Sequence, residues 1–168
     1  MKGRHTRRGF WIVGLCCTLL AGLGCLVGSP AAAAGDDGFQ SLFDGKTLDG
    51  WDGDPKLWRV EDGAITGQTS DDDPIKHNSF LIWREGKVDD FELTLEYRIE
   101  GGNSGIQYRS WEEPEKVGRW VIGGYQADID SKGTWTGALY GERYRGILAA
   151  RGQKTVIGDN HKPKVVGE

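Results

Sequence analysis

Cysteine is scarce in this sequence and is confined to its beginning. The three cysteines, Cys16, Cys17 and Cys25, all lie in the first 25 residues, so the rest of the chain has no thiol. A disulfide framework is therefore excluded for the remainder of the protein. Its stability must come from the packing of side chains.

Histidine and metal-binding patterns are also sparse. His77 and His161 each stand alone, without a second ligand at the spacing of a zinc site. Two acidic clusters, at residues 71–73 and 52–54, have carboxylates that calcium could use, but neither completes a calcium-binding loop. We expect no metal site and no cofactor.

The only long apolar run lies near the start of the chain. Four basic residues within the first eight positions precede an apolar segment at 9–27, and four alanines follow at 31–34. This order is typical of a removable secretory leader, so we predict a signal peptide at residues 1–34 and an exported protein, periplasmic or extracellular. Two alternatives are an uncleaved anchor and a lipoprotein attached at Cys25, since Leu23-Gly24-Cys25 partly resembles a lipoprotein cleavage box.

Charge argues against nucleic acid as a partner. The four basic residues of the leader leave with it, so residues 35–168 carry 17 basic and 25 acidic side chains, a net charge of −8. Proteins bind the phosphate backbone of nucleic acids through basic surfaces, and a net charge of −8 does not favour such a surface. We also expect no membrane contact after removal of the leader, unless Cys25 is lipidated.

Residues 35–168 are enough for one domain and too few for two. Their apolar residues come in short bursts between glycine and small polar residues, and they contain six of the seven tryptophans. This pattern predicts an all-β domain with a well-filled core. The expected strands are 57–60, 64–67, 79–83, 91–99, 106–110, 120–130, 138–140, 146–149 and 154–157.

Alternation gives each strand an apolar and a polar face. Over residues 91–99 the apolar side chains lie on one face, and residues 106–110 continue the alternation after a glycine-rich turn. We therefore predict a hairpin of these two runs, with Glu96 opposite Arg109 on the polar face. In the later run, Gln126 and Asp128 share a polar face. Sheets with one apolar face pack in pairs, which predicts an antiparallel β-sandwich of jelly-roll type.

Six segments of the sequence resemble, in the same order, the 3-keto-disaccharide hydrolase domain family. They read FQSLFDGKTLDGW at 39–51, WRVEDGAITG at 58–67, DFELTLEYR at 90–98, GNSGI at 102–106, GYQADID at 124–130 and TGALY at 136–140. The resemblance implies a concanavalin A-like sandwich. It also implies cleavage of glycosides already oxidised at the 3-position of the sugar, so the expected partner is an oxidised disaccharide or another glycoside.

The sequence departs from the family pattern in two places. Many relatives have Glu where this chain has Gln126, and Gln where it has Asp128, so a carboxylate has moved two residues along the same face. Further strands of the family, including a Trp-Asn-Glu-like segment, do not precede Glu168. We therefore describe residues 35–168 as a 3-keto-disaccharide hydrolase-like domain whose C-terminal strands are missing, either as a short variant or as a truncated chain.

A 3-keto sugar has an acidified proton at C2, and its loss allows the group at C1 to be eliminated. This chemistry needs a base near C2 and a cationic or hydrogen-bonding group at the enolate oxygen. Asp128 and Glu142 are candidate bases. Glu96 is a weaker candidate, because pairing with an arginine makes a carboxylate a poor base. The candidate oxyanion partners are Arg109, Arg143 and Arg145.

Other side chains are candidates for holding the sugar. Gln126 and Tyr140 lie on or beside the polar strands, and Trp111 and Trp135 adjoin loops where their rings could stack on a sugar. Trp58, Trp83 and Trp120 lie within apolar runs and favour the core. The expected site lies on one concave polar face and combines Gln126, Glu96, Asp128, Arg109, Tyr140, Glu142, Arg143, Arg145, Trp111 and Trp135.

Three functions remain open on this reading. The first is a hydrolase or lyase that acts on 3-keto-glycosides by proton abstraction, elimination and hydration. The second is a lectin-like module that binds carbohydrate without catalysis, because the same architecture hosts both. The third is a structural cell-surface domain. An ordinary glycosidase with two opposed carboxylates would also fit the acidic residues.

Overall fold

The computed structural model describes residues 8–13 and 38–168. Over these ranges the chain forms short strands and a single turn of helix. In chain order they are β1 (Arg8–Val13), β2 (Trp51–Asp52), β3 (Trp58–Glu61), β4 (Ala64–Thr69), β5 (Ile82–Trp83), β6 (Glu96–Glu100), β7 (Asn103–Glu112), α1 (Pro114–Val117), β8 (Ile122–Asp130), β9 (Leu139–Glu142), β10 (Gly146–Ala149), β11 (Lys154–Ile157) and β12 (Pro163–Gly167).

The strands form two main sheets, and all of their pairings are antiparallel. One sheet has the order β3-β4-β1-β6 and the other the order β10-β9-β8-β7. Two further pairs, β11 with β12 and β2 with β5, extend the structure. The predicted all-β, antiparallel sandwich is confirmed. Within the described residues, no helix is long and apolar enough to cross a membrane.

Strand β1 belongs to the segment predicted to be a removable leader. It lies between β4 and β6, with Ile12 opposite both Ile65 and Tyr97. The other residues of the predicted leader lie outside the described ranges. Cleavage of the leader therefore stays a prediction.

Most of the predicted strands are present, with shifted ends. The strands expected at 146–149 and 154–157 are found with those bounds, and the strand expected at 120–130 begins two residues later, at Ile122. The strand expected at 91–99 is much shorter, since only Glu96–Glu100 pairs. Strands β1, β2 and β12 and the helical turn α1 are not expected from the sequence.

The predicted hairpin is wrong. β6 pairs with β1 in the first sheet, whereas β7 pairs with β8 in the second, so Glu96 and Arg109 are not cross-strand partners. Between the two strands, Gly101 and Gly102 take positive φ angles of 80° and 72°, and the chain passes from one sheet to the other there. Alternation fixes the faces of each strand but does not identify the neighbouring strand, which is why the inference failed.

The expected burial of the first run is also wrong in part. Leu93 and Tyr97 are 44% and 42% exposed, and Leu93 lies outside any strand. The buried apolar residues come from both main sheets and from the loop before β9. They are Ala64, Ile65, Ile122, Ile129, Ala138 and Leu148.

A β-bulge interrupts the pairing of β7 with β8. Tyr108 lies opposite Tyr125 and Trp111 lies opposite Gly123, so Arg109 and Ser110 together face the single residue Gly124. Arg109 takes a left-handed conformation with φ of 48°. An extra residue of this kind reverses the alternation beyond it. Tyr108 and Trp111, three positions apart, therefore share a face of the sheet.

Asp52 connects the N-terminal part of the domain to the second sheet. Its carboxylate accepts hydrogen bonds from the Trp120 indole at 2.6 Å, from Arg119 Nη2 at 3.0 Å and from Arg84 Nη2 at 2.8 Å. Arg84 also donates to Glu112 at the end of β7. The Trp120 hydrogen bond, followed by the two arginines, outweighs partial burial and lowers the pKa of Asp52.

We predict that Asp52→Asn lowers the free energy of unfolding by about 1–3 kcal/mol at pH 7, the usual loss for a hydrogen bond to a charged group. Because the pKa of Asp52 is lower in the folded chain, its contribution is complete above the unfolded pKa and disappears as pH falls through the folded pKa. The difference between variant and wild type should therefore shrink in acid. Urea unfolding at pH 7 and at lower pH measures it.

The matched control is Asp49→Asn, since Asp49 is an exposed aspartate three residues away. This control should change the free energy of unfolding little at either pH. Equal losses in the two variants, or a loss in Asp52→Asn that does not depend on pH, would contradict the proposed role of Asp52.

Candidate functional site

A row of polar side chains crosses the second sheet. Gln126 in β8 lies opposite Gln107 in β7 and opposite Tyr140 in β9. Residues directly opposite one another in an antiparallel sheet point to the same side. The three side chains therefore project from one face, which we call the polar face.

Hydrogen bonds fix the orientation of the two amides in this row. Gln107 Nε2 donates to Gln126 Oε1 at 3.2 Å, and Gln126 Nε2 donates to Asp128 Oδ1 at 2.7 Å. Asp128 lies two residues along β8 from Gln126 and so shares its face. The hydrogen-bonded row from Gln107 through Gln126 therefore ends at the Asp128 carboxylate. The donor to this carboxylate, Gln126 Nε2, is fixed because Gln107 holds the other end of the same amide.

The environment of Asp128 favours its protonated form. Burial raises the pKa of this carboxyl group and the charge of Asp130 raises it further, while the hydrogen bond from Gln126 opposes both. A carboxylate with a raised pKa takes up a proton more readily than an exposed one. Asp128 is therefore a candidate general base.

A second carboxylate lies on the polar face. Glu142 is opposite Gly124, which places it on the same side as Gln126 and Asp128. Asn78 Nδ2 donates to Glu142 Oε2 at 3.0 Å. A residue 64 positions earlier in the chain thus holds this carboxylate in place.

Two glycines make room for the amide row. A Cβ atom at Gly105 would lie 2.5 Å from Gln126 Cγ, and one at Gly124 would lie 2.9 Å from Gln107 Oε1. Gly124 also has a φ angle of 152°, and its Cβ would meet Ser110 Oγ at 2.8 Å. Any larger residue at either position would displace the glutamine beside it.

Asp130 organises the loop after β8. Its Oδ1 accepts from the backbone N–H groups of Trp135 and Thr136, both at 2.9 Å, and its Oδ2 from that of Thr134 at 3.0 Å. Burial alone would raise the pKa of Asp130, but these donors and the Thr136 hydroxyl together lower it. The loop that presents Trp135 is therefore held to the sheet by one ionised carboxylate.

The polar face borders an open cleft. Gln126, Tyr140 and Glu142 line this cleft, and the exposed Trp135 ring lies at it too. Glu96, at the start of β6, also lines it. Asp128 lines an adjoining cavity of about 800 Å³ that shares Gln107 and Arg109 with the cleft. The cleft is thus lined by six of the predicted site residues: Gln126, Glu96, Tyr140, Glu142, Trp135 and Arg109. Asp128 lines only the second cavity, whose walls also include Ile106, Tyr108, Ala127 and Ile129 from the opposite face.

The three candidate arginines are in different places. Arg109 lines the cleft but donates to Asp89 Oδ1 at 3.0 Å and to Asp90 Oδ1 at 3.3 Å, because the bulge turns it away from the row. Arg143 is exposed in the β9–β10 turn. Arg145 donates to the Tyr125 hydroxyl at 2.9 Å. Tyr125 is adjacent to Gln126 and so points to the opposite face, which removes Arg145 from the polar face.

The tryptophans fall into a partly buried and an exposed group, largely as expected from the sequence. Trp58, Trp83 and Trp120 are partly buried, whereas Trp111 and Trp135 are 41% and 42% exposed. The expectation that the two exposed rings serve one site is not met. Trp111 lies opposite Gly123, on the face away from Gln126.

Sequence reasoning missed several residues that shape the site. Gln107 is one of them: the alternation of residues 106–110 puts it on a polar face, but it is not among the residues expected at the site. The register places it opposite Gln126. Nothing in the sequence connects Asn78 with Glu142, because their contact is long-range. Among the described residues, no group of three or more histidine, cysteine, aspartate or glutamate side chains could hold a metal ion.

Comparisons with known proteins identify a relative and a family for this chain. The chain is 38% identical over 92 residues to a 3-keto-disaccharide hydrolase of Bacteroides thetaiotaomicron, an alignment that covers 48% of this chain and 30% of the relative. The chain therefore spans less than a third of that relative. No solved structure matches the chain of this protein significantly. The model of the 3-keto-alpha-glucoside-1,2-lyase-like domain matches residues 38–166, and the chain belongs to this family.

Proposed function

We propose that this protein cleaves 3-keto-glycosides, with Asp128 as the base that removes the C2 proton. The observation that carries the proposal is the hydrogen-bonded row from Gln107 through Gln126 to Asp128, which ends in a carboxylate of raised pKa. This carboxylate lines a cavity that shares Gln107 and Arg109 with the open cleft. Support also comes from the family and from the name of the Bacteroides relative.

The reaction proceeds in two stages. Asp128 takes the proton from C2, and the electrons of that C–H bond form an enolate with the C3 carbonyl. The enolate then re-forms the carbonyl, a double bond forms between C1 and C2, and the C1–O bond breaks. Water adds to C1 while a proton returns to C2, so the net result is hydrolysis to a 3-keto sugar and a free alcohol.

The leaving oxygen needs a proton as its bond to C1 breaks. Glu142 lies on the same face as Asp128 and is held by Asn78, so we assign it as the acid that supplies this proton. Separate carboxylates allow one group to accept the C2 proton while the other donates a proton to the leaving oxygen.

The developing charge on the C3 oxygen needs a hydrogen-bond donor. Arg109 lines both the cleft and the cavity beside Asp128. Its present partners, Asp89 and Asp90, have side chains that are 91% and 99% exposed. Exposed ion pairs are weak, so the guanidinium can turn to a bound substrate at little cost. The Tyr140 hydroxyl, opposite Gln126, is a second donor within the row.

We expect Asp128→Asn to lower kcat by about 10²–10⁴-fold on a 3-keto-disaccharide, the usual contribution of a general base, and Glu142→Gln to lower it within the same range. Release of free sugar measures the rate. The control Asp159→Asn alters an exposed aspartate far from the row in sequence and should leave the rate unchanged. Wild-type rates in both test variants would remove these carboxylates from the mechanism.

The same reaction in heavy water tests the elimination route. Elimination followed by hydration places deuterium at C2 of the released 3-keto sugar, whereas direct displacement by two carboxylates leaves the C2 proton in place. Product incubated without protein gives the background exchange. Enzymatic release without deuterium at C2 would favour the ordinary glycosidase scheme.

Asp128→Asn should also make the protein more stable at neutral pH. Because burial raises the pKa of Asp128, ionisation of this group opposes folding: its favourable contribution is complete below the unfolded pKa and is lost as pH rises through the folded pKa. Asparagine can still accept from Gln126 but carries no charge. The Tm of the variant should exceed that of wild type at pH 7, and the gap should close in acid. A lower Tm at pH 7 would contradict this account.

A lectin-like binding module remains the second candidate, favoured by the exposed rings of Trp111 and Trp135. A binding module would retain its affinity for sugar in Asp128→Asn and would show no turnover even in wild type. An enzyme would retain affinity in that variant but lose turnover.

We also propose that the protein is exported and that residues 1–34 are removed, on the order of basic, apolar and alanine-rich segments. Cleavage after Ala34 would take β1 with it, so β4 and β6 would need each other or another strand as a partner. N-terminal sequencing of exported protein should begin at Gly35. A start at Met1 would rule the leader out, and a modified Cys25 terminus would indicate a lipoprotein.

A further inference from the structure

The face of the second sheet opposite the polar row carries an exposed aromatic corner. Trp111 lies against Gly123: a Cβ atom at that glycine would be 2.4 Å from Trp111 Cζ2 and 2.6 Å from Cε2. Such contact with the indole is possible only because Gly123 has no side chain. The indole therefore rests on the sheet, and it remains 41% exposed.

Tyr144 forms a second wall beside this indole. The two ring planes are at 87°, with centroids 5.8 Å apart, and Tyr144 is 58% exposed. The Arg145 guanidinium carbon lies 4.3 Å from the Tyr144 ring centroid. Arg145 is in turn held by its hydrogen bond to Tyr125. The corner is thus supported by the sheet beneath the indole and by a fixed cation beside the phenol ring.

We propose that Trp111 and Tyr144 form a second carbohydrate-binding surface, separate from the proposed catalytic cleft. A pyranose ring has an apolar face of C–H groups that packs on an aromatic ring, while its hydroxyl groups stay in contact with water. Perpendicular rings offer one surface beneath the sugar and one beside it. Aromatic residues bind well here because their rigid rings lose little conformational freedom on contact.

The size of the corner favours a sugar over a protein partner. A stable protein interface buries about 800 Å² on each partner. Two aromatic side chains supply about 300–500 Å² when fully buried, and these two are already partly covered. The corner matches one or two sugar rings.

The surface lies on the side of the sheet away from the proposed base. Trp111 is opposite Gly123, whereas Asp128 is on the face of Gln126, and successive residues of β8 alternate between the two faces. A sugar packed on the corner therefore lies on the opposite side of the sheet from the face of Gln126 and Asp128. We assign the surface to holding a longer saccharide chain to the protein while cleavage takes place elsewhere.

The test uses the full chain with unoxidised cellohexaose and maltohexaose, and measures binding by isothermal titration calorimetry. We expect Trp111→Ala and Tyr144→Ala each to weaken binding of the preferred oligosaccharide about tenfold, equivalent to about 1.4 kcal/mol. The second variant guards against a folding defect in the first, since Tyr144 is the more exposed ring. The rate of 3-keto-disaccharide cleavage should stay within about twofold of wild type, because neither ring adjoins the polar face.

The matched control is Trp135→Ala, which removes an equally exposed indole from the catalytic cleft. It should leave binding of the hexasaccharide within about twofold while lowering cleavage of the 3-keto-disaccharide. The proposal is overturned if wild type binds neither hexasaccharide, or if the Trp111 and Tyr144 variants bind it as well as wild type does. A protein without hydrolytic activity would contradict the proposed function but would leave this binding test intact.

Discussion

The bulge at Arg109 and Ser110 is the constraint on which both faces of the second sheet depend. With two residues opposite Gly124, the alternation of β7 reverses, and Trp111 joins the face of Tyr125 instead of the face of Gln126. The left-handed φ of Arg109 sends its guanidinium toward Asp89 and Asp90. Gly124 is required on the partner strand, because a side chain there would strike Ser110 and Gln107. One inserted residue thus separates a polar surface from an aromatic one.

The polar face shows how a sheet can hold reactive groups with few charges. Its central residues are neutral amides, and each amide donates in one direction along the row toward Asp128. A neutral donor steadies the carboxylate without lowering its pKa as strongly as an arginine would, so burial remains the dominant effect. Under the proposed function, Asp128 supplies the base from this face, two residues along β8 from Gln126.

Much of the sheet could be predicted from the sequence, because alternation and glycine spacing are local signals. The strands at 146–149 and 154–157 and the shared face of Gln126 and Asp128 followed directly. The predicted partner strand of β6 was wrong because the alternation of residues 91–99 suits a strand in either sheet. The predicted position of Arg109 was wrong because a β-bulge leaves no recognisable pattern in a single sequence. The Asn78 contact with Glu142 depends on tertiary folding alone.

The Asp52 cluster, formed by Asp52 with Arg84, Arg119 and Trp120, has a consequence for the order in which the chain folds. Its hydrogen bonds join residues 32 and 68 positions apart, whereas β8, β9 and β10 follow one another closely in sequence. Closing a longer loop costs more chain entropy, and contacts between distant residues slow folding. We therefore expect the β8–β9–β10 meander to form early, with the N-terminal strands docking onto it later. Ions that screen Arg84 and Arg119 should then slow the late step more than the early one.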